Sequence, residues 1–351
     1  MTVELHDRWL RVQLGHEHAD FHYKWLRHAC DLDRHPQTGE RTIDSSEIPD
    51  DVAAREARVE ADTLIITWAH DGRVSRYPLA WLERHAYARG RVTRPPPTEL
   101  EAVTLERSDT RPLAEVVGEA LRRLDDHGVV VVRRPATIVT PPQDETEAII
   151  EGFAAAGLRV IETHFGRIED LRTDNTTNAN TDQLGYTNAA VEPHTDQPFI
   201  AAPPRLQLLQ GVRAATRGGS SAVVDGRAAA LYLRDQDARA YALLTEVPVH
   251  FHRKQAAFES SIVAPILSMP DAPFMIRYSY FTMAPQRLAF AAMDEWYRAY
   301  DAFARIVRDP RHQYRFALGP GDFLLYDNHR MLHARTAFEG SRWLRGVYFD
   351  R

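Results

Sequence analysis

The spacing of apolar residues changes character once along the chain. In residues 1–92 the runs are short and alternate with period two: Trp9, Val12 and Leu14, then Phe21 to Leu26, then Leu64-Ile65-Ile66-Thr67-Trp68, closed by the turn His70-Asp71-Gly72. Alternation between turn residues predicts strands, so this region is expected to be a small N-terminal sheet-rich domain. Residues 93–99 include Pro95-Pro96-Pro97, whose missing amides and fixed φ exclude helix and central strand. They predict an extended linker. Beyond it, Leu113, Val116, Val117, Ala120, Leu121 and Leu124 recur at helical spacing, and His127-Gly128 stops that helix before the run Val129 to Val132.

Most of the remaining apolar runs in 100–351 are short: Leu206 to Leu209, Ser221 to Val224, Phe274 to Tyr280, Phe323 to Tyr326 and Gly346 to Phe349. Helical spacing interrupts them at Arg227 to Thr245 and Gln286 to Val307. Strands at this spacing without βαβ alternation predict a mainly β fold with helices, a jelly-roll (double-stranded β-helix) core. The polar run Thr173 to Asp182 has no apolar periodicity and predicts a loop.

Composition then narrows the chemistry. A net charge of -6 over 351 residues gives no electrostatic reason to bind nucleic acid or an anionic membrane, which leaves a small molecule as the expected partner. No signal-like segment or long apolar span is present in the sequence, and a cytoplasmic location is expected. Cys30 is the sole cysteine, which excludes an intrachain disulfide and a multi-thiolate zinc site. Any metal must therefore rest on histidines and carboxylates.

His194-Thr195-Asp196 places an imidazole and a carboxylate at i and i+2, on one face of an extended segment. With one later histidine this makes a two-histidine, one-carboxylate set, which leaves neighbouring iron positions open for oxygen and a bidentate cosubstrate. The spacing alone is weak, since His18-Ala19-Asp20 repeats it and His250-Phe251-His252 offers another pair. Context favours His194: it ends a polar loop, and the distant run from Pro320-Gly321 through Phe323 to Tyr326 leads into a turn holding His329 and His333. Arg342, on the next predicted strand, can grip a carboxylate such as the distal one of 2-oxoglutarate with two parallel hydrogen bonds.

Several ordered segments together resemble one family. Thr163-His164-Phe165-Gly166-Arg167, Tyr186-Thr187, His194-Thr195-Asp196, Pro203 to Leu209, Gly218-Gly219-Ser220-Ser221 with Val224-Asp225-Gly226, and Asp327 to Arg335 followed by Arg342 to Tyr348 resemble the motifs of the γ-butyrobetaine and trimethyllysine hydroxylases. These lie within the broader taurine-dioxygenase-like (TauD-like) oxygenases. The resemblance spans nearly the whole chain, including Trp25-Leu26-Arg27, His35-Pro36, Arg41, Ile48-Pro49 and Trp81-Leu82 of an N-terminal domain. It implies that His333, not His329, is the third iron ligand, that Arg342 anchors 2-oxoglutarate and that Ser221 assists. It also implies a homodimer.

Two departures stand out. The family's N-terminal zinc takes three cysteines and a histidine, whereas only Cys30 remains near His35 and Arg73 replaces a ligand, so no structural zinc is expected. In the substrate pocket Phe165, Tyr186 and Tyr348 match aromatic positions that surround a trimethylammonium, but Glu169 replaces an aromatic residue. Gln183 and Ser279 replace carboxylate-binding asparagines, and the loop Thr173 to Asp182 is longer.

The expectation is thus an Fe(II)- and 2-oxoglutarate-dependent dioxygenase that uses O2 and releases succinate and CO2. Its substrate is expected to be a small amine- or guanidinium-bearing metabolite, oxidised at an aliphatic C–H bond. Hydroxylation is the default; desaturation, cyclisation or cleavage use the same ligands. The rivals from other classes are a zinc hydrolase and a non-catalytic binding protein.

Overall fold

The computed structural model describes residues 2–15, 17–34, 37, 42–86, 99–174, 178, 183–268 and 272–351. It divides into two compact units, Met1–Arg91 and Val92–Arg351. The predicted linker from Thr93 to Thr98, most of the Thr173–Asp182 run, His35-Pro36 and Arg41 lie outside the described residues.

In the first unit β1 (Val3–Leu5), β2 (Trp9–Leu14) and β3 (Glu17–His22) form one antiparallel sheet, followed by α1 (Tyr23–Ala29). A second sheet holds β4 (Ala54–Glu60), β5 (Thr63–Trp68) and β6 (Val74–Pro78), and α2 (Leu79–His85) follows. The strand expected from Phe21 to Leu26 is cut short at His22. Tyr23, Leu26 and Cys30 are all buried, and that three-then-four spacing is helical. Trp68 is fully buried with its indole N–H donated to Ser75 Oγ (2.7 Å), while Trp25 and Trp81 pack on the edge of the same core. Near Cys30, Arg73 donates to Asp33 (3.0 Å) and to the Leu32 carbonyl (2.9 Å), and Arg27 pairs with the same Asp33.

The second unit opens with α3 (Leu100–Val103), β7 (Thr104–Glu106), α4 (Leu113–His127), β8 (Val129–Arg133), α5 (Pro142–Ala155), β9 (Arg159–Ile161) and β10 (Glu169–Arg172). Then come β11 (Val191–His194), β12 (Leu206–Arg213), β13 (Arg217–Gly218), β14 (Ser221–Asp225), α6 (Gly226–Gln236) and α7 (Ala238–Glu246). The chain ends with β15 (Val249–Gln255), β16 (Phe258–Ala264), α8 (Phe290–Arg308), β17 (Gln313–Phe316), β18 (Phe323–Asp327), β19 (Met331–Arg335), β20 (Phe338–Glu339) and β21 (Trp343–Asp350).

A seven-stranded sheet in the order β10-β21-β12-β18-β8-β7, with β9 also on β21, faces a four-stranded sheet in the order β11-β19-β14-β17. One face of the larger sheet buries Leu206, Leu208, Phe323, Leu325, Val347 and Phe349 against Val116, Val117 and Ala120 of α4 and Ile149, Ile150 and Phe153 of α5. From its other face Leu209, Leu324 and Tyr326 meet Val223, Phe316 and Met331 of the smaller sheet. Both faces of the central strands are thus covered, which is why β8 and β12 are buried at successive residues rather than at alternate ones. The arrangement is a jelly-roll-like sandwich with a helical layer on one side.

Three expectations are corrected here. The segment Arg227–Thr245 is two helices, because Asp237 leaves helical geometry and its side chain caps Ala240 N (2.9 Å). Phe274 to Tyr280 is extended but joins no sheet. Its amides go to separate segments, Ile276 N to His329 O (3.0 Å), Arg277 N to Ile266 O (2.8 Å) and Tyr278 N to Thr195 Oγ1 (3.0 Å). Finally, α5 was not expected, and α8 begins at Phe290 rather than Gln286.

Candidate functional site

Strand register assembles the site from residues far apart in sequence. On the smaller sheet His194 of β11 lies directly opposite His333 of β19, and His333 lies opposite Val223 of β14. On the larger sheet Gln207 of β12 lies opposite Tyr326 of β18 on one side and Tyr348 of β21 on the other. Glu169 of β10 lies opposite Gly346, two residues from Tyr348 and so on the same face. One row of side chains from the large sheet therefore faces one pair of histidines from the small sheet. His194, Asp196, Gln207, Ser221, His333, Arg342 and Tyr348 line a single cavity.

His194, Asp196 and His333 bring one candidate ligand atom each within 4.8 Å of one another. His194 Nε2 is 3.5 Å and His333 Nε2 3.9 Å from Asp196 Oδ1. The remaining nitrogens are spoken for. His194 Nδ1 donates to the Glu192 carbonyl (2.8 Å), and His333 Nδ1 meets the Tyr326 hydroxyl (2.9 Å). That hydroxyl donates to Gln207 Oε1, so it accepts from the imidazole and leaves the His333 Nε2 lone pair free. Asp196 is held as firmly: Tyr348 donates to Oδ2 (2.8 Å), and Asn328 brackets its backbone, accepting from Asp196 N (2.7 Å) and donating to Asp196 O (3.1 Å).

Protonation states agree with a ligand set. Burial and then the His194 charge push His333 down to about 3, which keeps it neutral at ordinary pH. Burial opposes ionisation of Asp196, but the flanking imidazoles and the Tyr348 hydroxyl hold its carboxyl well below the usual range. Two imidazoles and one carboxylate, with the distal atoms already bonded, fit a divalent iron and leave part of its coordination sphere to exogenous groups.

A second feature is a buried cation. Arg342 is 7% exposed, and no carboxylate pairs with it among the described residues. Burial and then the Arg335 charge push it down to about 9, so it remains cationic at neutral pH. Gly219 makes room for it: the glycine has φ +72°, and a Cβ there would lie 3.3 Å from Arg342 Cδ.

Comparison with known proteins decides the family. Residues 92–348 match the model of the taurine catabolism dioxygenase TauD, TfdA family. The chain belongs to that family. It is an Fe(II)/2-oxoglutarate-dependent dioxygenase. Among curated relatives, the dioxygenase is 29% identical to a gamma-butyrobetaine dioxygenase of Pseudomonas sp. (strain AK-1), over 95% of this chain and 88% of the relative. It is 26% identical to the mitochondrial trimethyllysine dioxygenase of Gallus gallus, over 99% of this chain and 85% of that protein. Of solved structures, PvcB from Pseudomonas aeruginosa superposes with a TM-score of 0.51 at 20% identity, over 70% of this chain and 84% of the other. The non-heme iron oxygenase OrfP in complex with Fe and alpha-ketoglutaric acid gives a TM-score of 0.50 at 20% identity, over 67% of this chain and 79% of its own. These two likenesses establish the fold.

Of the dioxygenase's expected substrate residues, Phe165, Glu169, Gln183 and Tyr348 line the cavity, as does Ser221. Tyr186 is buried behind them, donating to Glu169 Oε1 (3.0 Å). Ser279 is buried too, but it does not line the cavity and its Oγ has no partner. The competing pairs lie elsewhere: Asp20 accepts from Arg11 (2.8 Å), and His252 pairs with Glu259 (2.9 Å). His329 bonds the Pro203 carbonyl (3.0 Å).

Sequence reading missed Tyr326, Gln207 and Asn328, which fix His333 and Asp196, although Asn328 and Tyr326 stand beside the motif that contains His333. It also missed Arg335, which holds the segment carrying Tyr186 through the carbonyls of Thr187 (2.8 Å) and Ala189 (2.7 Å). Gln197 and Thr282 were missed as well. Both are buried, both line the cavity, and Gln197 Nε2 and Thr282 Oγ1 have no partner. Gln197 moreover sits at φ +53°, a strained conformation for a residue with a side chain.

Proposed function

We propose that His194, Asp196 and His333 hold the iron, that Arg342 anchors the distal carboxylate of 2-oxoglutarate with Ser221 beside it, and that the rest of the cavity binds a small amine- or guanidinium-bearing metabolite. The observation that carries this reading is the co-location in one cavity of a candidate three-ligand group with both Nε2 atoms turned to Asp196 and a buried guanidinium that has no acidic partner among the described residues. Iron(II) with 2-oxoglutarate and dioxygen supplies the oxidising power for aliphatic C–H hydroxylation, with succinate and CO2 released. The chain's own residues orient and exclude. Tyr348 keeps Asp196 Oδ2 occupied, which would leave Oδ1 to hold a metal, and Tyr326 and the Glu192 carbonyl fix the two imidazoles. Phe165, Leu171, Phe281 and Leu344 line the cavity with apolar surface that keeps water from the reacting bond.

The relatives' names support a cationic amine as substrate class, since one is a gamma-butyrobetaine and the other a trimethyllysine dioxygenase. On the same reading Met1–Arg91 is the accessory N-terminal domain of such enzymes, and the assembly is a homodimer.

The test is anaerobic addition of iron(II) and 2-oxoglutarate to the metal-free protein, with the weak visible charge-transfer band of the chelate as readout. The band should form in the wild type, vanish in Asp196→Ala and need about 100-fold more 2-oxoglutarate in Arg342→Ala, the scale expected for a buried bidentate pair. A folded, iron-loaded protein without the band refutes the reading. Oxygen-dependent succinate formation separates it from a zinc hydrolase.

A further inference from the structure

We propose that Glu169, supported by Gln183 and Tyr186, is an acceptor subsite for the N–H bonds of a protonated amine or guanidinium, so that the substrate carries an N–H cation rather than a quaternary ammonium. This rests on the iron and 2-oxoglutarate reading above and narrows its substrate class.

The carboxylate is 4% exposed and forms no salt bridge among the described residues. Gln183 Nε2 (2.8 Å) and the Tyr186 hydroxyl (3.0 Å) both donate to Oε1. Oε2 receives no donor among the described residues, and the residue lines the cavity that holds the triad. A carboxylate removed from water, with one oxygen accepting two hydrogen bonds and the other bare, is half of an interaction, and no cation among the described residues pairs with it. The structural cost is visible, since burial and then the Asp196 charge push Glu169 up to about 8. Without a ligand cation the group therefore holds a proton at neutral pH, and such a cation on Oε2 displaces that proton and offsets the cost of burying the carboxylate.

The chemistry of the cation follows from the atom left free. A bare carboxylate oxygen is satisfied by an N–H donor, and a guanidinium or primary ammonium presents several. A quaternary ammonium has none. It would press methyl groups against Oε2 and leave the oxygen dry and unbonded. The aromatic surfaces of Phe165 and Tyr348 in the same cavity attract either cation, so they do not decide between the two. Position completes the argument: Glu169 and Tyr348 share one face of neighbouring strands, and Tyr348 holds Asp196. Glu169 therefore opens into the same cavity as the candidate metal ligands and on the side that carries Tyr348.

The test uses the full chain loaded anaerobically with iron(II) and 2-oxoglutarate. The probes are L-arginine, agmatine, L-lysine and 4-aminobutyrate against γ-butyrobetaine and choline, whose nitrogens carry no hydrogen, with binding read by calorimetry and the chelate band recorded on the same samples. At least one N–H probe should bind ten-fold or more tightly than either quaternary probe. Glu169→Gln should erase that preference while the chelate band persists. Tyr186→Phe, which removes one donor to Oε1 and keeps the ring, should weaken the same probe several-fold and serves if Glu169→Gln does not fold. Quaternary probes binding as well, no N–H probe binding, or an unchanged preference in the variants overturns the inference with the chelate intact. A wild type that forms no chelate overturns the underlying reading and this inference with it.

Discussion

Around the triad every distal polar atom has a protein partner: His194 Nδ1 the Glu192 carbonyl, His333 Nδ1 the Tyr326 hydroxyl, Asp196 Oδ2 the Tyr348 hydroxyl. Elsewhere in the same cavity the pattern inverts. Glu169 Oε2 and Arg342 have no ionic partner among the described residues, and Gln197 Nε2 and Thr282 Oγ1 have no hydrogen bond although buried. The first region is complete except for a metal and can hold its geometry through a catalytic cycle. The second is complete only when small molecules fill it. Chemistry common to a family belongs in the first kind of region, and the choice of ligand in the second.

The largest break in this comparison comes from removing a ligand. Asp196→Ala should lower succinate formation by at least ~10³-fold and abolish iron retention, because the two histidines alone bind divalent iron weakly. Thermal stability of the metal-free protein should fall little or rise, since a buried carboxylate is removed. Loss of folding, rather than of iron, would show that the triad is structural.

These regions were unequally legible in the sequence. His194, Asp196, His333 and Arg342 could be singled out as candidates, which the fold brings to one cavity, because the chemistry proposed for them restricts residue type and spacing, and ordered motifs mark them. Tyr326 and Gln207 could not, because their contact depends on β12 lying beside β18 in one particular register, which no local pattern encodes. The fold shows the same division. Val129 to Val132 and Leu206 to Leu209 are strands from composition alone. Phe274 to Tyr280 alternates like a strand, yet Arg277 in its middle is buried, donating to the carbonyls of Pro198, Ile200 and Ala201. Those long-range bonds override the local pattern. In α5 only Ile149, Ile150 and Phe153 form an apolar stripe amid acidic residues, too little to announce a helix before the sheet it covers is known.

The next effect comes from the second region. Glu169 titrates near 8 when folded and near 4.5 when unfolded, so between those values the folded state holds a proton that the unfolded state has lost. Stability is therefore given up as pH rises through that window, and the full penalty applies above it. In metal-free protein Glu169→Gln should be more stable than the wild type by about 2–4 kcal/mol at pH 8.5, with the difference shrinking towards zero by pH 5. Thermal melts at the two pH values decide it. A variant less stable at pH 8.5 would mean that Glu169 is a structural element of the sheet, and the contrast between the two regions would fail.

A smaller effect tests the completed region. Tyr326→Phe removes the hydroxyl between His333 and Gln207 and frees the imidazole to turn or change tautomer. Iron(II) affinity should drop about 10- to 100-fold, with saturating iron restoring most of the activity. An affinity equal to wild type would show that the strand pair β11–β19 alone orients His333.

The smallest effect is also the most discriminating, because it separates strain from function at one residue. Gln197 is the only non-glycine residue with positive φ among the described residues of Val92–Arg351, and its unpartnered amide faces the cavity directly after a ligand. Gln197→Gly adopts that backbone without strain, so the protein should lose at most about 1 kcal/mol of stability or gain as much. If the amide contacts substrate, KM for the substrate should rise several-fold while the 2-oxoglutarate requirement and the chelate band stay unchanged. If instead the strain serves only to aim Asp196, iron affinity falls and KM does not. The two outcomes assign Gln197 to the region that awaits a ligand or to the one already complete.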